Sequence, residues 1–350
     1  MLFSQKTKGF FIELNDHAIM LARTSAATAP FMVEDMQECA PGDAVALEAA
    51  VEQIQPKKNP SGYLHATVSL YPGKRLVRRH ALEMKRVREA GYLAEVCSQQ
   101  FRIEQDKYAI ALLNANDGTD YDLAKGTQKD VVFCGLPIED ANATQSALLK
   151  AGIYPERLEL GSIATLGGVV DCLAQMKSKT PTLVLEIGSD VTHSFIVTAN
   201  GVEASREIPQ GLDTMVPLVQ KELGLKDEES ARKLFHSNTF DFTGMGPLLI
   251  KKLLKELQSS IGFYEVQTGQ SVGQVLCTQL SPKLQWLDAA IASSIGIASL
   301  KLDALPWLHS RHISLPDAFA KNAQDIRWFG LLALMAQYDV VHAVPAEEKK

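Results

Sequence analysis

The chain has 350 residues, of which 46% are hydrophobic and 22% charged, and a formal net charge of −6. This length predicts two domains, and this composition is ordinary for a globular protein. The acidic balance, with a pI near 5.8, argues against a general nucleic-acid binder, because such proteins are usually basic. The five cysteines are scattered with no CxxC pair, so neither a disulfide framework nor a zinc site is predicted, which fits a reducing cytoplasm.

The N-terminal sequence MLFSQKTKGFFIEL has neither a long apolar core nor a small-residue cleavage site, so no signal peptide is predicted. The longest apolar run, residues 328–336, is far shorter than the roughly 20 residues of a membrane-spanning helix. We therefore predict no direct membrane span, and any role at a membrane would depend on a partner protein.

The first predicted unit is a succession of three strands and a helix. Alternating apolar residues predict the strands, and apolar residues at helical spacing predict the helix. Glu13 ends the first strand. The parts are a strand at 10–14, a turn at 15–17, strands at 19–23 and 31–38, and a helix with Ala44, Leu47, Val51 and Ile54 on one face.

Strand and helix patterns then alternate, which predicts a mixed α/β sheet covered by helices. The basic run 74-KRLVRRHALEMKRVREAG-91 would suit an anionic membrane surface or an acidic partner, unless it is only a solvated helix face. The polar stretch 115-ANDGTDYDLAKGTQKD-130 is predicted to be a surface loop. The predicted elements are strands at 66–71, 108–114 and 130–136 and helices at 80–98, 138–151 and 158–176.

The opening succession recurs later in the chain. Asn200-Gly201 is a strong hairpin signal because both residues tolerate positive φ, and a helix follows Gly211. Since Glu13 and Glu186 each end the first strand of such a unit, the sequence predicts two similar domains rather than a solenoid. The strands of the second unit are predicted at 182–187, 191–198 and 202–208.

The predicted domains follow from this duplication. The first domain is predicted at 1–178, with an inserted subdomain at about 60–128 and a C-terminal helix, 322–338, that completes it. The second domain is predicted at 179–321, and residues 339–350 are predicted to be a disordered tail. The other predicted elements are strands at 273–277 and 298–302 and helices at 247–267 and 283–294.

Two βββαβ units that each open with an acidic residue and a tight turn resemble the actin-like ATPase superfamily of actin, Hsp70 and the sugar kinases. Within it, the chain resembles PilM-like proteins, the cytoplasmic actin-like proteins of type IV pilus assembly. The resemblance implies an α/β fold of two ribonuclease-H-like, actin-type domains (βββαβα units) that face an interdomain cleft and clamp a nucleotide there. The stretches that carry it are 130-DVVFCGLPIEDANATQSALLKAGIYPERLELGSIA-164, 185-LEIGSDVTHSFIVTANGVEASREIPQG-211, 227-DEESARKLF-235, 253-LLKELQSSIGFYEVQTG-269 and 328-WFGLLALMA-336.

The resemblance also implies a nucleotide site. Backbone N–H groups in a Gly/Ser/Thr turn would point at phosphates, and carboxylates would hold a hydrated Mg²⁺. Glu186 and Asp190 are the candidate metal ligands. The candidate cofactor-binding residues are Glu13, Asn15, Asp16, Glu186, Gly188, Ser189, Asp190, Thr192, Gly211, Lys233, Thr278 and Gln279.

Two parts of this site depart from the PilM-like pattern. Asp16 places a carboxylate where phosphate oxygens would lie, and two anions repel one another. Thr278 and Gln279 stand where the family has a glycine pair beside the purine. The expected cofactors are therefore weakly bound ATP and Mg²⁺ or none, and the expected activity is that of a pseudo-ATPase or a weak ATP binder.

The resemblance implies a scaffold of a type IV pilus or related secretion platform. The partner would be the N-terminal tail of a PilN-like single-span inner-membrane protein, bound in a groove of the first domain within residues 60–115. Other pilus platform proteins are further expected partners, and nucleic acid is not. The scaffold would lie in the cytoplasm, held at the inner membrane through that partner.

Two alternatives stay open from the sequence. An active ATPase or small-molecule kinase of the superfamily would need a general base in the cleft, for which Asp190 is the candidate. A nucleotide-free paralogue would resemble the cytoplasmic domain of the type II secretion protein GspL. His309 and His312 have no carboxylate or cysteine near them in sequence for a metal site, and no Ser-His-Asp order is apparent.

Overall fold

The computed structural model describes residues 8–55, 61–237 and 239–337. The chain forms two compact units. The first unit, which we call the first lobe, has three segments: the residues up to Tyr71, Ala141–Gly168, and the residues from Leu302 onward. The second lobe combines Pro72–Asp140 with Val169–Lys301.

The elements are numbered in chain order. The strands in the described part of the chain are β1 (Gly9–Leu14), β2 (Ile19–Thr24), β3 (Phe31–Cys39), β4 (Leu64–Leu70), β5 (Leu76–Ala81), β6 (Tyr108–Asn114), β7 (Asp130–Pro137), β8 (Ile153–Leu160), β9 (Thr182–Ile187), β10 (Thr192–Thr198), β11 (Gly201–Ile208), β12 (Gln274–Thr278), β13 (Ala298–Ser299) and β14 (Ile313–Ser314). The α-helices there are α1 (Ala44–Ile54), α2 (Tyr92–Val96), α3 (Ile138–Lys150), α4 (Gly161–Gln175), α5 (Val216–Glu222), α6 (Glu228–Phe235), α7 (Gly246–Leu249), α8 (Lys251–Thr268), α9 (Trp286–Ile295), α10 (Leu305–Ser310) and α11 (Phe329–Ala336).

The first lobe is built on a six-stranded sheet in the order β14-β3-β2-β1-β4-β8. Strand β1 is antiparallel to β2 and parallel to β4, so Glu13 lies opposite Met20 on one side and Ser69 on the other. Alternate residues of these strands, among them Ile12 and Val68, pack against Ile54 of α1 in one apolar core.

The second lobe contains a five-stranded sheet in the order β11-β10-β9-β12-β13. Here β9 is antiparallel to β10 and parallel to β12, so Glu186 lies opposite His193 on one side and Thr278 on the other. The two sheets therefore repeat the same local topology, with Glu186 in the position that Glu13 holds in the first lobe. The predicted duplication is confirmed at the level of strand register.

A second, three-stranded sheet in the order β5-β7-β6 belongs to the second lobe. Its β5 lies beside β11, the edge strand of the five-stranded sheet, where the Arg79 N–H donates to Ser205 Oγ at 2.8 Å. The Val202 N–H donates to the Ala115 carbonyl at 3.1 Å. At Gly201 a Cβ atom would collide with that carbonyl, so glycine permits the close approach.

The helix predicted at 80–98 is wrong in its first part, because only the residues from Tyr92 onward are helical. Residues 76–81 form β5, and the helix begins only at Tyr92 and continues as a π-helical turn, Cys97–Phe101. The charges of Arg78 and Arg79 hide the strand pattern in the sequence. Both side chains pair with carboxylates of β11, which makes the strand possible.

Other predicted elements differ in their limits. The helix predicted at 158–176 is preceded by a strand that the sequence did not predict, β8, whose exposed Tyr154, Glu156 and Arg157 mask its alternation. The helix predicted at 247–267 is divided into α7 and α8, and the strand predicted at 298–302 is reduced to β13. The helix predicted at 322–338 is α11, preceded by a 3₁₀ turn.

The other predicted elements match the structure within a few residues. The predicted tail, 339–350, lies outside the described residues. The lobes are defined by contacts, whereas the predicted domains 1–178 and 179–321 follow from the sequence duplication. The predicted domain boundaries therefore stay a prediction.

Candidate functional site

The turn between β9 and β10 is the part of the second lobe where the sequence predicted phosphate contacts. The Gly188 N–H donates to the Val191 carbonyl at 3.0 Å, which closes the turn on itself. The N–H groups of Leu212 and Asp213 donate to the carbonyls of Gly188 and Ser189 at 2.9 and 2.8 Å. The backbone N–H groups that follow Gly211 therefore donate to carbonyls of this turn.

The two candidate threonines of the second lobe also donate within the fold. Thr192 is buried and its hydroxyl donates to the Gln210 carbonyl at 2.6 Å. Thr278 is buried and its hydroxyl donates to the Leu185 carbonyl at 3.4 Å. Asp190, the candidate general base, is exposed at the apex of the turn.

Glu186 is buried beside a guanidinium. Arg75 Nη2 lies 2.5 Å from Glu186 Oε2, and the side chains are 5% and 1% exposed. Arg75 also donates from Nη1 to the Pro72 carbonyl at 3.0 Å, and its backbone N–H donates to the same carbonyl at 3.1 Å. An arginine that follows β4 in the chain is thus the counter-ion of the candidate metal ligand in β9.

His193 lies directly opposite Glu186 and is fully buried. Its Nε2 is 3.3 Å from the Gly73 carbonyl. Burial lowers the pKa of His193 to about 2, and the positive charges of Arg75 and Arg78 act in the same direction. The imidazole is therefore neutral at physiological pH.

Arg75 is one of three arginines that fix the segment 72–81 to the sheet. Arg78 Nη2 lies 2.7 Å from Glu207 Oε2, and Arg79 Nη1 lies 3.0 Å from Glu203 Oε2. Arg75, Arg78 and Arg79 of the basic run therefore pair with carboxylates of their own lobe. This leaves less of its charge for an anionic membrane surface or an acidic partner, which the sequence left open as one of two interpretations. Composition alone could not reveal these pairings, because the carboxylates lie more than a hundred residues away in the chain.

In the first lobe the corresponding carboxylate, Glu13, is fully buried. Asn15 donates from Nδ2 to Glu13 Oε1 at 2.9 Å, and its own Oδ1 accepts from the N–H groups of His17 and Ala18, both at 2.9 Å. This is an Asx turn, a common role of asparagine. Asp16 is exposed beside it.

Helix α11 packs directly over Glu13. At Gly330 a Cβ atom would collide with Glu13 Oε2, and it would lie 2.6 Å from the hydroxyl of Tyr71. The Tyr71 hydroxyl lies 2.9 Å from Thr165 Oγ1 of α4. The candidate carboxylate of the first lobe is therefore enclosed by its own lobe.

The adenosine end of the predicted site has an unusual backbone. Gln279, which follows β12, has a φ of 65°, the left-handed region that favours glycine. Gln279 therefore has a backbone conformation that glycine adopts more readily, at a position where the resemblance led us to expect a glycine. Lys233 lies on α6 and pairs with Glu229 at 2.6 Å, with both side chains about three-quarters exposed.

The structure brings Glu186, Gly188, Ser189, Thr192, Gly211 and Thr278 together at one end of the five-stranded sheet. Glu13, Asn15 and Asp16 form a hairpin of the first lobe. Across residues 8–55, 61–237 and 239–337, no group of three or more His, Cys, Asp or Glu side chains is placed to hold a metal ion. None of the described helices combines the length and apolar character that a bilayer crossing requires.

A Ser–His–Glu arrangement, which the sequence order did not indicate, lies on the first lobe. Ser61 Oγ is 3.0 Å from His65 Nε2, and His65 Nδ1 is 3.1 Å from Glu156 Oε1. The side chains of His65 and Glu156 are 34% and 58% exposed. This Ser–His–Glu network lies at the solvent-accessible surface of the first lobe.

Two sheets that repeat one strand topology give the chain an actin-like α/β fold with two sheet-based lobes. Among solved structures, the chain is similar to one described as the PilM-PilN type IV pilus biogenesis complex, with a TM-score of 0.68 and 16% identity over 95% of this chain and 98% of that chain. The predicted fold class is therefore confirmed. No protein-family model and no curated protein sequence matches the chain.

More distant similarities extend to two further solved structures. The ethanolamine utilization protein EutJ from Carboxydothermus hydrogenoformans has a TM-score of 0.43 and 10% identity, over 93% of this chain and 90% of that one. A protein of unknown function with an actin-like ATPase fold from Bacteroides thetaiotaomicron has a TM-score of 0.44 and 9% identity, over 96% and 98%.

Proposed function

We propose that this chain is a PilM-like scaffold of a type IV pilus or related secretion platform. The observation that carries the proposal is the similarity to the solved PilM-PilN complex over almost the whole of both chains. The partner is the N-terminal cytoplasmic tail of a PilN-like inner-membrane protein. Through this tail, and with other platform proteins, the scaffold is held at the cytoplasmic face of the inner membrane.

A groove in the second lobe suits such a tail. It has a volume of about 560 Å³, and its lining is mixed: Val87, Leu93, Ala94, Leu123 and Ala124 are apolar, whereas Arg88, Glu89 and Gln105 are polar or charged. Such a lining can hold one or two aliphatic side chains of an extended peptide beside polar contacts to its backbone. The groove lies between α2 and the 115–130 stretch, so it includes part of the predicted 60–115 region and extends beyond it.

The groove assignment is tested by titrating a fluorescent peptide of the PilN-like tail into the protein. Leu123→Glu is a suitable variant because Leu123 lines the groove and is 37% exposed, so its replacement leaves the core intact. Val266→Glu is the matched control on α8, where the side chain is 87% exposed. We expect a tenfold or greater loss of affinity for Leu123→Glu and none for Val266→Glu. Equal affinity of the two variants would reject the groove, and a wild type without affinity for the tail would reject the function.

The same proposal includes a nucleotide site that has lost most of its affinity. It is supported by the hydroxyl of Thr192 and the N–H of Gly188, which donate within the fold, and by the glutamine at 279. A ligand at 100 times its Kd stabilises a protein by about 2.7 kcal/mol, so tight binding would be obvious in thermal unfolding. We expect almost no change in Tm at millimolar Mg-ATP, and a rise of several degrees at micromolar ATP would contradict this.

An active ATPase or small-molecule kinase is the alternative function. It requires Asp190 as the base that accepts a proton from water or from a substrate hydroxyl. ATP hydrolysis by the wild type that is lost in Asp190→Asn would favour it over the scaffold. Asp213→Asn is the control, since Asp213 is also acidic and near the turn but pairs with Arg232.

A further inference from the structure

We infer that the Arg75 guanidinium takes the place of a metal ion at Glu186, so that the second hairpin is permanently neutralised by the chain itself. This deepens the nucleotide part of the proposed function and rests on it. It concerns the chain's own residues: Glu186 is a structural anchor for the segment 72–81 and does not coordinate Mg²⁺.

The side chains of Glu186 and Arg75 are both removed from water. Glu186 is 1% exposed and Arg75 is 5% exposed, with 2.5 Å between Oε2 and Nη2. A carboxylate removed from water requires a counter-charge at hydrogen-bonding distance, and a planar guanidinium supplies both the charge and donors in a fixed geometry. A divalent cation bound at Glu186 Oε2 would have to displace that guanidinium and leave it buried without its carboxylate.

Glu186 belongs to a row of three side chains on neighbouring strands. Glu186, His193 and Glu207 form a row across β9, β10 and β11. The His193 imidazole is neutral, so it adds no positive charge, and Arg78 pairs with Glu207 at the other end of the row. The two carboxylates of the row are therefore each paired with an arginine of the segment 72–81.

The segment that carries Arg75 is held in place by hydrogen bonds and ion pairs. Arg75 lies in a turn closed by two hydrogen bonds to the Pro72 carbonyl. The strand that follows is fixed to β11 by Arg78 and by Arg79, which also bonds to Ser205 through its backbone N–H. Because the backbone on both sides of Arg75 is already fixed, its pairing with Glu186 costs little further backbone entropy. The guanidinium cannot move aside for a metal ion without losing its contacts with Glu186 and with the Pro72 carbonyl.

The test is chemical rescue by a metal ion. In Arg75→Gln, the buried Glu186 loses its counter-ion, so we expect a lower Tm that 5 mM MnCl₂ partly restores relative to NaCl of equal ionic strength. In the double variant Arg75→Gln/Glu186→Gln we expect a higher Tm than in the single variant and no response to Mn²⁺. Arg79→Gln is the control, because its pair with Glu203 is partly exposed. It should show no Mn²⁺ response.

Mn²⁺ binding to the wild type, followed by the electron paramagnetic resonance of free Mn²⁺, is the second readout. We expect no binding below millimolar Mn²⁺. Micromolar binding that Glu186→Gln abolishes would overturn the inference, even where the Arg75 variants fail to fold. An Arg75→Gln protein as stable as the wild type would also overturn it. Failure of the tail peptide to bind, with these metal results as expected, would reject the scaffold function alone.

Discussion

Replacement of His193 by glutamine should make the protein more resistant to acid. His193 is buried opposite Glu186, and burial together with the charges of Arg75 and Arg78 lowers its pKa to about 2. In the unfolded chain the imidazole takes up a proton below pH 6.5, whereas in the folded protein it stays neutral. The unfolded state then binds more protons, so the free energy of unfolding falls as the pH falls from about 6.5 towards 2.

The magnitude follows from the two pKa values. Each pKa unit corresponds to about 1.4 kcal/mol, so this one histidine lowers the free energy of unfolding by about 3 kcal/mol between pH 7 and pH 4. Glutamine has no proton to gain and can still donate to the Gly73 carbonyl, which His193 Nε2 approaches at 3.3 Å. The variant therefore keeps the contact and removes the titration.

The assay is urea unfolding at pH 7, 5.5 and 4 for the wild type, His193→Gln and His309→Gln. His309 is exposed and serves as the control. Titration of the carboxylates changes the free energy of unfolding equally in all three proteins. The difference between wild type and His193→Gln therefore gives the contribution of His193 to the pH dependence. A loss of stability that is the same in all three proteins would refute the argument that His193 is held neutral.

Two further predictions concern single residues whose environment the structure defines. Gly330→Ala should lower the free energy of unfolding by about 1–3 kcal/mol, because the new Cβ collides with Glu13 Oε2 and the Tyr71 hydroxyl. Gly262→Ala in α8 is its control and should be stabilising by about 0.5–1 kcal/mol in urea unfolding, since nothing lies within 4 Å of its Cβ. Gln279→Gly should raise the stability by about 1 kcal/mol, because glycine adopts a φ of 65° without strain. An unchanged or lower urea midpoint for Gln279→Gly would contradict that reading of the turn.

Much of the fold was predictable because its signals are local. The Asn200-Gly201 pair, the alternation of the strands around it and the repeat of the same succession at Glu13 lie within short windows of sequence. They predict hairpins and duplication without knowledge of distant contacts. The similarity of strand register around Glu13 and Glu186 confirms this part.

The predictions that failed concern residues whose contacts lie far away in the sequence. Strand β5 was not predicted, and its last two residues were included in the helix predicted at 80–98, because its charges look solvated until Arg78 and Arg79 meet carboxylates of β11. The partner of Glu186 was missed for the same reason, since Arg75 lies 111 residues away in the chain. A sequence pattern shows which charged groups are present but not which of them pair in the folded protein. At this site, the pair of Arg75 with Glu186 determines the charge around the carboxylate.

The junction of β5 with β11 has a consequence for how copies of this protein can associate. An open strand edge is a ready template for a strand from a second copy, and hence for aggregation. Here the edge of β11 is occupied from within the chain at Arg79 and Ala115, whose contacts with Ser205 and Val202 use groups along that edge. A shortened protein without residues 72–137 would lose these contacts, and the edge of β11 would then be open to a strand from a second copy.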